Sequence, residues 1–224
     1  MHGQAFICRP SCASDIAFAS DAPLTAGTGG VFFKARFGTL TFVDAGDLPK
    51  LSGDGNYLVY WVESATTVYE IRLYDRVNNT ITPIINAELG GPPTQYSINQ
   101  DGRYVAFTWN YSLSDIDTNG IPDIYLYDRT DRSTKLISTD SQGNLLAPGV
   151  DTIGAADPQI SADGHFVIFS YGLLVYIKDL TTNNIATLQQ QGSTPFISRD
   201  GHYIGFTSLT DHHVYVTPNP LITP

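Results

Sequence analysis

The stretch "SINQDGRYVAF", Ser97 to Phe107, decides the fold, because nearly the same phrase recurs as "LSGDGNYLVYW" from Leu51, "ISADGHFVIFS" from Ile160 and "ISRDGHYIGFT" from Ile197. Each copy has a serine or an equivalent before Asp-Gly, with apolar residues before the turn and an alternating, aromatic-rich run after it. Glycine tolerates the positive φ that tight turns demand, and period-two alternation is the mark of a half-buried strand. Each phrase therefore predicts a β-hairpin with Asp-Gly as its two-residue connection. The four pairs, Asp54-Gly55, Asp101-Gly102, Asp163-Gly164 and Asp200-Gly201, lie 47, 62 and 37 residues apart. A constant phrase at uneven spacing means loop insertions on a repeated unit.

A second strand pair follows each phrase: "YEIRLYDRVNNTITPI" from Tyr69, "DIYLYDRTDRSTKLIS" from Asp123 and "LVYIKDLTTNNIATLQ" from Leu174, with the shorter "HVYVTPNPLITP" from His213. Each unit thus holds four antiparallel strands. A degenerate first unit, "AFICRPSCASDIAFAS" then "GVFFKARFGTLTFVD", makes five, over residues 3–48, 49–93, 94–157, 158–194 and 195–224. One four-stranded sheet of this size cannot bury both faces, whereas several packed face to face around an axis can. The expected fold is all-β, a five-bladed propeller without strand-swapped closure; the alternative is part of a propeller with six or more blades. The inner strand of the first blade is expected near Gln4 to Cys8 and the outer strand of the last at Leu221 to Thr223.

With 224 residues and 42% hydrophobic content the chain can bury a core, and 20 Gly, 13 Pro, 13 Tyr and 11 Phe suit strands and tight turns. A formal charge of −10 repels phosphate backbones and anionic bilayers, so nucleic acid is not an expected partner. The longest uncharged apolar run, "FVIFSYGLLVYI", is far shorter than a bilayer crossing, so membrane insertion is not expected either. The opening "MHGQAFICRPSC" has no basic region followed by an apolar stretch, and no signal peptide is expected there. Cys8 and Cys12 read either as a small disulfide or as two buried thiols.

The phrase S-x-D-G-x-[YF]-[VI]-x-F, followed by [VI]-Y-[LVI]-x-D, resembles the TolB-type propeller repeat over nearly the whole chain. The resemblance implies a propeller, and a role as an interaction platform in the bacterial envelope or on secreted proteins.

One insertion carries possible chemistry. In "SDIDTNGIPDIYLYD", Asp115, Asp117 and Asn119 alternate, Gly120 permits a sharp turn, and Asp123 follows. Calcium takes six to eight oxygens, which a short loop delivers from alternate side chains when a glycine lets it curl back. Asp115, Asp117, Asn119, the backbone carbonyl of Ile121 and Asp123 are the candidate ligands. The match to an EF-hand is partial, since Leu126 stands where the bidentate Glu belongs. An Asx-rich turn without metal is the competing reading. The loop is similar to the D-T-N-G-x-x-D loops of some TolB-like propellers, and that resemblance implies a structural Ca²⁺ tying the second strand to the third. "SDAPLTAGTGGVFF" in the first unit reads as an eroded copy with no metal expected.

His165 and His202 follow Asp-Gly in consecutive units, but Asn56 and Arg103 hold the same position elsewhere, so a generic polar turn residue is expected there. The adjacent His212 and His213 are expected at the surface. The repeated Asp54, Asp101, Asp163 and Asp200, and Asp75, Asp128 and Asp179 after the third strands, suit turn capping. Asn78 and Asn110 lie in glycosylation sequons that matter only in a eukaryotic secretory setting. No nucleophile elbow, HExxH, phosphate loop or dinucleotide fingerprint occurs in the sequence, and no catalytic or organic-cofactor residue is assigned.

Two functions are weighed. The first is a non-catalytic binding module, periplasmic or extracellular, that presents loops to a protein or glycan partner, with Tyr60, Trp61, Trp109, Tyr111 and Tyr171 either a contact patch or packing between blades. The second is a carbohydrate-active lyase or glycosidase using funnel carboxylates with His165 or His202.

Overall fold

The computed structural model describes residues 5–7, 15–20, 29–35, 38–65, 68–87, 93, 95–147 and 154–222. Among them every regular element is a strand. The chain forms two compact units, one of residues 1–94 with 100–102 and one of 95–99 with 103–224.

The first unit holds two antiparallel sheets in sequential order. One is β1 (Ala5–Ile7), β2 (Ile16–Ser20), β3 (Gly30–Lys34) and β4 (Leu40–Asp44); the other is β5 (Asp47–Leu51), β6 (Tyr57–Ala65), β7 (Val68–Asp75) and β8 (Thr80–Ala87). Ala17 and Val31 of the first sheet bury against Leu58, Tyr60, Val62 and Tyr74 of the second. Alternation along β6 selects those residues, because every second side chain faces the same way.

The second unit has one four-stranded and one six-stranded sheet. The four-stranded sheet is β9 (Tyr96–Ile98), β10 (Tyr104–Trp109), β11 (Asp123–Asp128) and β12 (Ser133–Leu136). The six-stranded sheet runs through β13 (Ala155–Ile160), β14 (Phe166–Tyr171), β15 (Leu174–Asp179), β16 (Ile185–Ile197), β17 (Tyr203–Ser208) and β18 (Val214–Pro218). Its joint is β16, whose first half pairs with β15 and second half with β17. One core packs Ala106, Ile124 and Leu126 on Val167, Phe169 and Tyr171; another packs Phe166, Ile168, Val175 and Ile177 on Ile204 and Phe206.

The repeated phrase has a definite geometry. Ser161 Oγ donates to Asp163 Oδ1 at 2.6 Å and accepts from the Phe166 amide at 3.0 Å, while the His165 amide donates to the same Asp163 oxygen at 3.0 Å. Ser52 with Asp54 and Ser198 with Asp200 repeat it. In the third repeat Asn99 takes the serine's place, its Oδ1 accepting from the Tyr104 amide at 2.9 Å. The connection is longer than the expected two residues: β5 ends at Leu51 and β6 begins at Tyr57. The serine hydroxyl and the aspartate carboxylate satisfy amides that would otherwise go unpaired, and so allow the wider loop.

Glycine serves these turns twice over. Gly102, Gly164 and Gly201 have φ of +67°, +76° and +74°. A Cβ on each would also meet the ring that opens the preceding repeat's second strand: Tyr57, Tyr104 at 2.6 Å and Phe166 at 2.9 Å. The Asp-Gly-x-aromatic spacing therefore fixes both the turn and its seat on the ring of the repeat before it.

Leu221 and Ile222 lie in a turn and bend rather than an outer strand. They pack on the last core instead, because Asn219 turns the chain by accepting from the Leu221 amide at 2.9 Å and donating to Gly201 O at 2.9 Å. The pairing of Cys8 with Cys12 and most of "SDAPLTAGTGGVFF" lie outside the described residues.

Candidate functional site

The candidate loop lies between β10 and β11. Asp117 and Asp123 are both buried. Tyr125 donates its phenol to Asp117, and the same phenolic oxygen accepts from the Leu113 amide at 3.0 Å. Ser138 Oγ donates to Asp123 and accepts from the Ile124 amide at 3.1 Å. Asn119 Nδ2 donates to Asp123 Oδ2 at 2.8 Å and to Tyr171 Oη at 3.2 Å, while its Oδ1 accepts from the Ile121 amide at 2.9 Å. Tyr171 in turn donates to the Leu146 carbonyl at 2.9 Å. Gly120, at φ +68°, makes the bend.

The loop thus gathers Asp117, Asn119 and Asp123, and leaves Asp115 exposed on its outer side. Ile121 enters through its amide rather than its carbonyl. Among the described residues no three of His, Cys, Asp and Glu converge as a ready metal cluster. Sequence reasoning missed Tyr125 and Ser138, and named Tyr171 only in the aromatic set, not as a partner of this loop. The alternation of Asp123 and Tyr125 on one strand was a usable signal; the hydroxyls from residues 138 and 171 had none.

The electrostatics are unusual in one respect. The hydrogen bonds reaching the two buried carboxylates come from neutral donors. Burial lifts Asp123 above the ordinary carboxylate value, opposed by the Ser138 and Asn119 hydrogen bonds and reinforced by the charge of Asp117. Burial first, and then the charge of Asp123, push the Tyr171 phenol up to about 12. Burial and the bond to Asp117 raise Tyr125 as well. A divalent cation bound here would offset a charge that the fold meets only with dipoles.

The other candidates are accounted for locally. His165 and His202 are exposed, with Nδ1 at 3.3 Å and 3.5 Å from Asp163 and Asp200 of their own turns. His212 and His213 are exposed before β18. Asp75, Asp128 and Asp179 accept from amides two residues ahead at 2.8–2.9 Å. Of the aromatic patch, Tyr60, Trp109 and Tyr171 are buried, Trp61 is half-buried and Tyr111 is exposed. Beside Tyr111, the loop also exposes Leu113 and Ile116.

No family model and no curated protein matches the sequence. Solved structures do match its fold. TolB from Acinetobacter baumannii superposes with a TM-score of 0.59 at 20% identity over 96% of this chain. The chain has the fold of a TolB-like β-propeller. It spans 55% of that TolB's own length. The propeller domain of the Trilobed protease from Pyrococcus furiosus, which has an open velcro topology, gives 0.63 at 11% identity over 97% of this chain and 70% of its own. Oligogalacturonate lyase from Vibrio parahaemolyticus gives 0.60 at 12% identity over 96% of this chain and 61% of its own. One TolB-like propeller fold is thus shared by proteins with different activities, and only the site distinguishes among them.

Proposed function

We propose that the chain is a non-catalytic binding module, working in the periplasm or outside the cell, whose loop 110–122 meets a protein partner and is stiffened by a structural Ca²⁺. The observation that carries this reading is the make-up of that loop. Tyr111, Leu113 and Ile116 face solvent, while Asp117, Asn119 and Asp123 fasten its return to β11. An exposed apolar loop on a rigid base is what a protein contact needs, because little order remains to be lost on binding.

Asp117 and Asp123 would hold the ion, with Asn119 presenting its amide oxygen after a turn of the side chain, and Asp115 and the Ile121 carbonyl closing the shell. The ion would supply only charge and rigidity. The residues fit in part: Asp117 and Asp123 are buried carboxylates of one loop, whereas Asp115 is exposed and would have to swing inward.

Two measurements test the reading. Thermal unfolding in chelator and then in calcium should show a rise in Tm that Asp117→Ala removes; no rise refutes the ion. Proteins captured on the immobilised chain should be lost from a Tyr111→Ser, Ile116→Ser variant with unchanged Tm, whereas identical capture refutes the loop as the contact.

A further inference from the structure

The third strand of every repeat carries two apolar residues two positions apart: Val31 and Phe33, Ile71 and Leu73, Ile124 and Leu126, Val175 and Ile177, then Val214 and Val216. The first four pairs are at most 6% exposed. Val214 and Val216 are 64% and 61% exposed.

Register shows that these are equivalent places. Val175 and Ile177 stand opposite Ser170 and Ile168, and Val214 and Val216 stand opposite Thr207 and Gly205. Tyr203 likewise holds the place of Phe166, as the first residue of its strand after the Asp-Gly turn. Phe166, Val175 and Ile177 are buried because the next hairpin lies on them, with Ile204 and Phe206 in the shared core and Gly201 against the Phe166 ring. Tyr203 is 54% exposed, and no following glycine turn covers it among the described residues. Phe196, across from Gly205, adds to the same face.

Pleated alternation should make the solvent side of a terminal sheet polar. This side instead repeats the pattern of a covered one. Scattered exposed apolar residues need no explanation, but four that line one face in the register of a buried interface do.

We propose that this face of β17 and β18 is a docking surface for one further unit of the same repeat, a polypeptide hairpin with an S-x-D-G turn. Its glycine seats on Tyr203 and its apolar second strand covers Val214 and Val216. The occupant is named by continuity: the contact is the one made by Gly164 on Tyr104 and by Gly201 on Phe166. The proposal is independent of the loop 110–122 and of calcium.

The test compares the 224-residue chain with the same chain extended, through a flexible linker, by a second copy of residues 195–224. Hydroxyl-radical footprinting of Tyr203, Val214 and Val216 should fall several-fold in the extended chain, and its Tm should rise. Val216→Lys should abolish both gains while leaving the Tm of the unextended chain unchanged, since the side chain is solvent-facing there. Unaltered labelling in the extended chain overturns the proposal, whether or not the added copy folds elsewhere. Sedimentation of the unextended chain as a dimer that Val216→Lys dissolves overturns it too, by making a second copy the occupant.

Discussion

Replacing Gly164 by alanine separates the two jobs assigned to the repeat's glycine. A residue with a Cβ in the left-handed region costs about 1–2 kcal/mol. At Gly164, φ +76°, the new methyl would also stand 2.6 Å from the Tyr104 ring and 3.0 Å from Asn99 Nδ2. Forcing a methyl into a packed contact adds about 1–3 kcal/mol, for a total of about 2–5 kcal/mol. Gly172 is the control, because its φ is +59° and nothing lies within 4 Å of the position its Cβ would take. Gly172→Ala should therefore cost only the backbone part, about 1–2 kcal/mol. For a chain of this size about 1 kcal/mol moves Tm by about 2–4 °C, so the two variants separate readily. Urea denaturation followed by tryptophan fluorescence and circular dichroism gives both costs, and an unchanged m-value certifies that the same transition is being compared. Equal costs would refute the claim that glycine is needed to seat one unit on the next.

Three more outcomes are expected. Lys178 is buried and donates from Nζ to the Thr139 and Asp140 carbonyls at 2.8 Å and 2.9 Å; Lys178→Met should cost about 1–3 kcal/mol by orphaning them, and should speed amide exchange across residues 139–145. Ser161→Ala, which leaves the buried Phe166 amide without its acceptor, should cost about 1–2 kcal/mol and more than Ser198→Ala, whose turn is exposed, as chemical denaturation of the two would show. The third outcome concerns pH. Asp128, held down first by the Arg103 hydrogen bond, and Asp200, held down first by that of Ser198, titrate below the ordinary carboxylate value. The stability they add is complete above about pH 4 and is lost as pH falls through their depressed values. Asp123 is raised by burial, so its ionised form weakens the fold and that penalty fades as pH falls through its value. In chelator, Tm should therefore rise on mild acidification before it falls; in calcium the rise should vanish, because the ion stabilises the ionised carboxylate. A steady fall from neutrality in chelator would contradict this account.

Much of the fold was legible because the sequence repeats local chemistry. Ser161, Asp163 and Gly164 act on backbone within a few residues, and three copies with the same bonds leave little room for another reading. The alternation after each turn marked the buried faces for the same reason. What escaped was set by contacts distant in sequence or by a single local competitor. Leu221 and Ile222 look like a strand, but Asn219 turns them onto the core. The candidate site was half legible: the spacing of Asp117, Asn119 and Asp123 gave the loop, whereas Tyr171 reaches Asn119 from 52 residues away. The exposure of Asp115 was equally hidden, since alternation alone does not say which side of a loop turns inward.

The shared strand β16, bulged on both sides of its midpoint and with Thr194 at φ +47°, has a mechanical consequence. Where other repeats meet through a connecting segment, this strand carries hydrogen bonds to β15 along one half and to β17 along the other, so the final hairpins share one strand. A load applied near Pro218 would pass through β17 along the 13 residues of β16 to β15. The last part of the molecule should yield as one cooperative piece under tension, not peel off hairpin by hairpin.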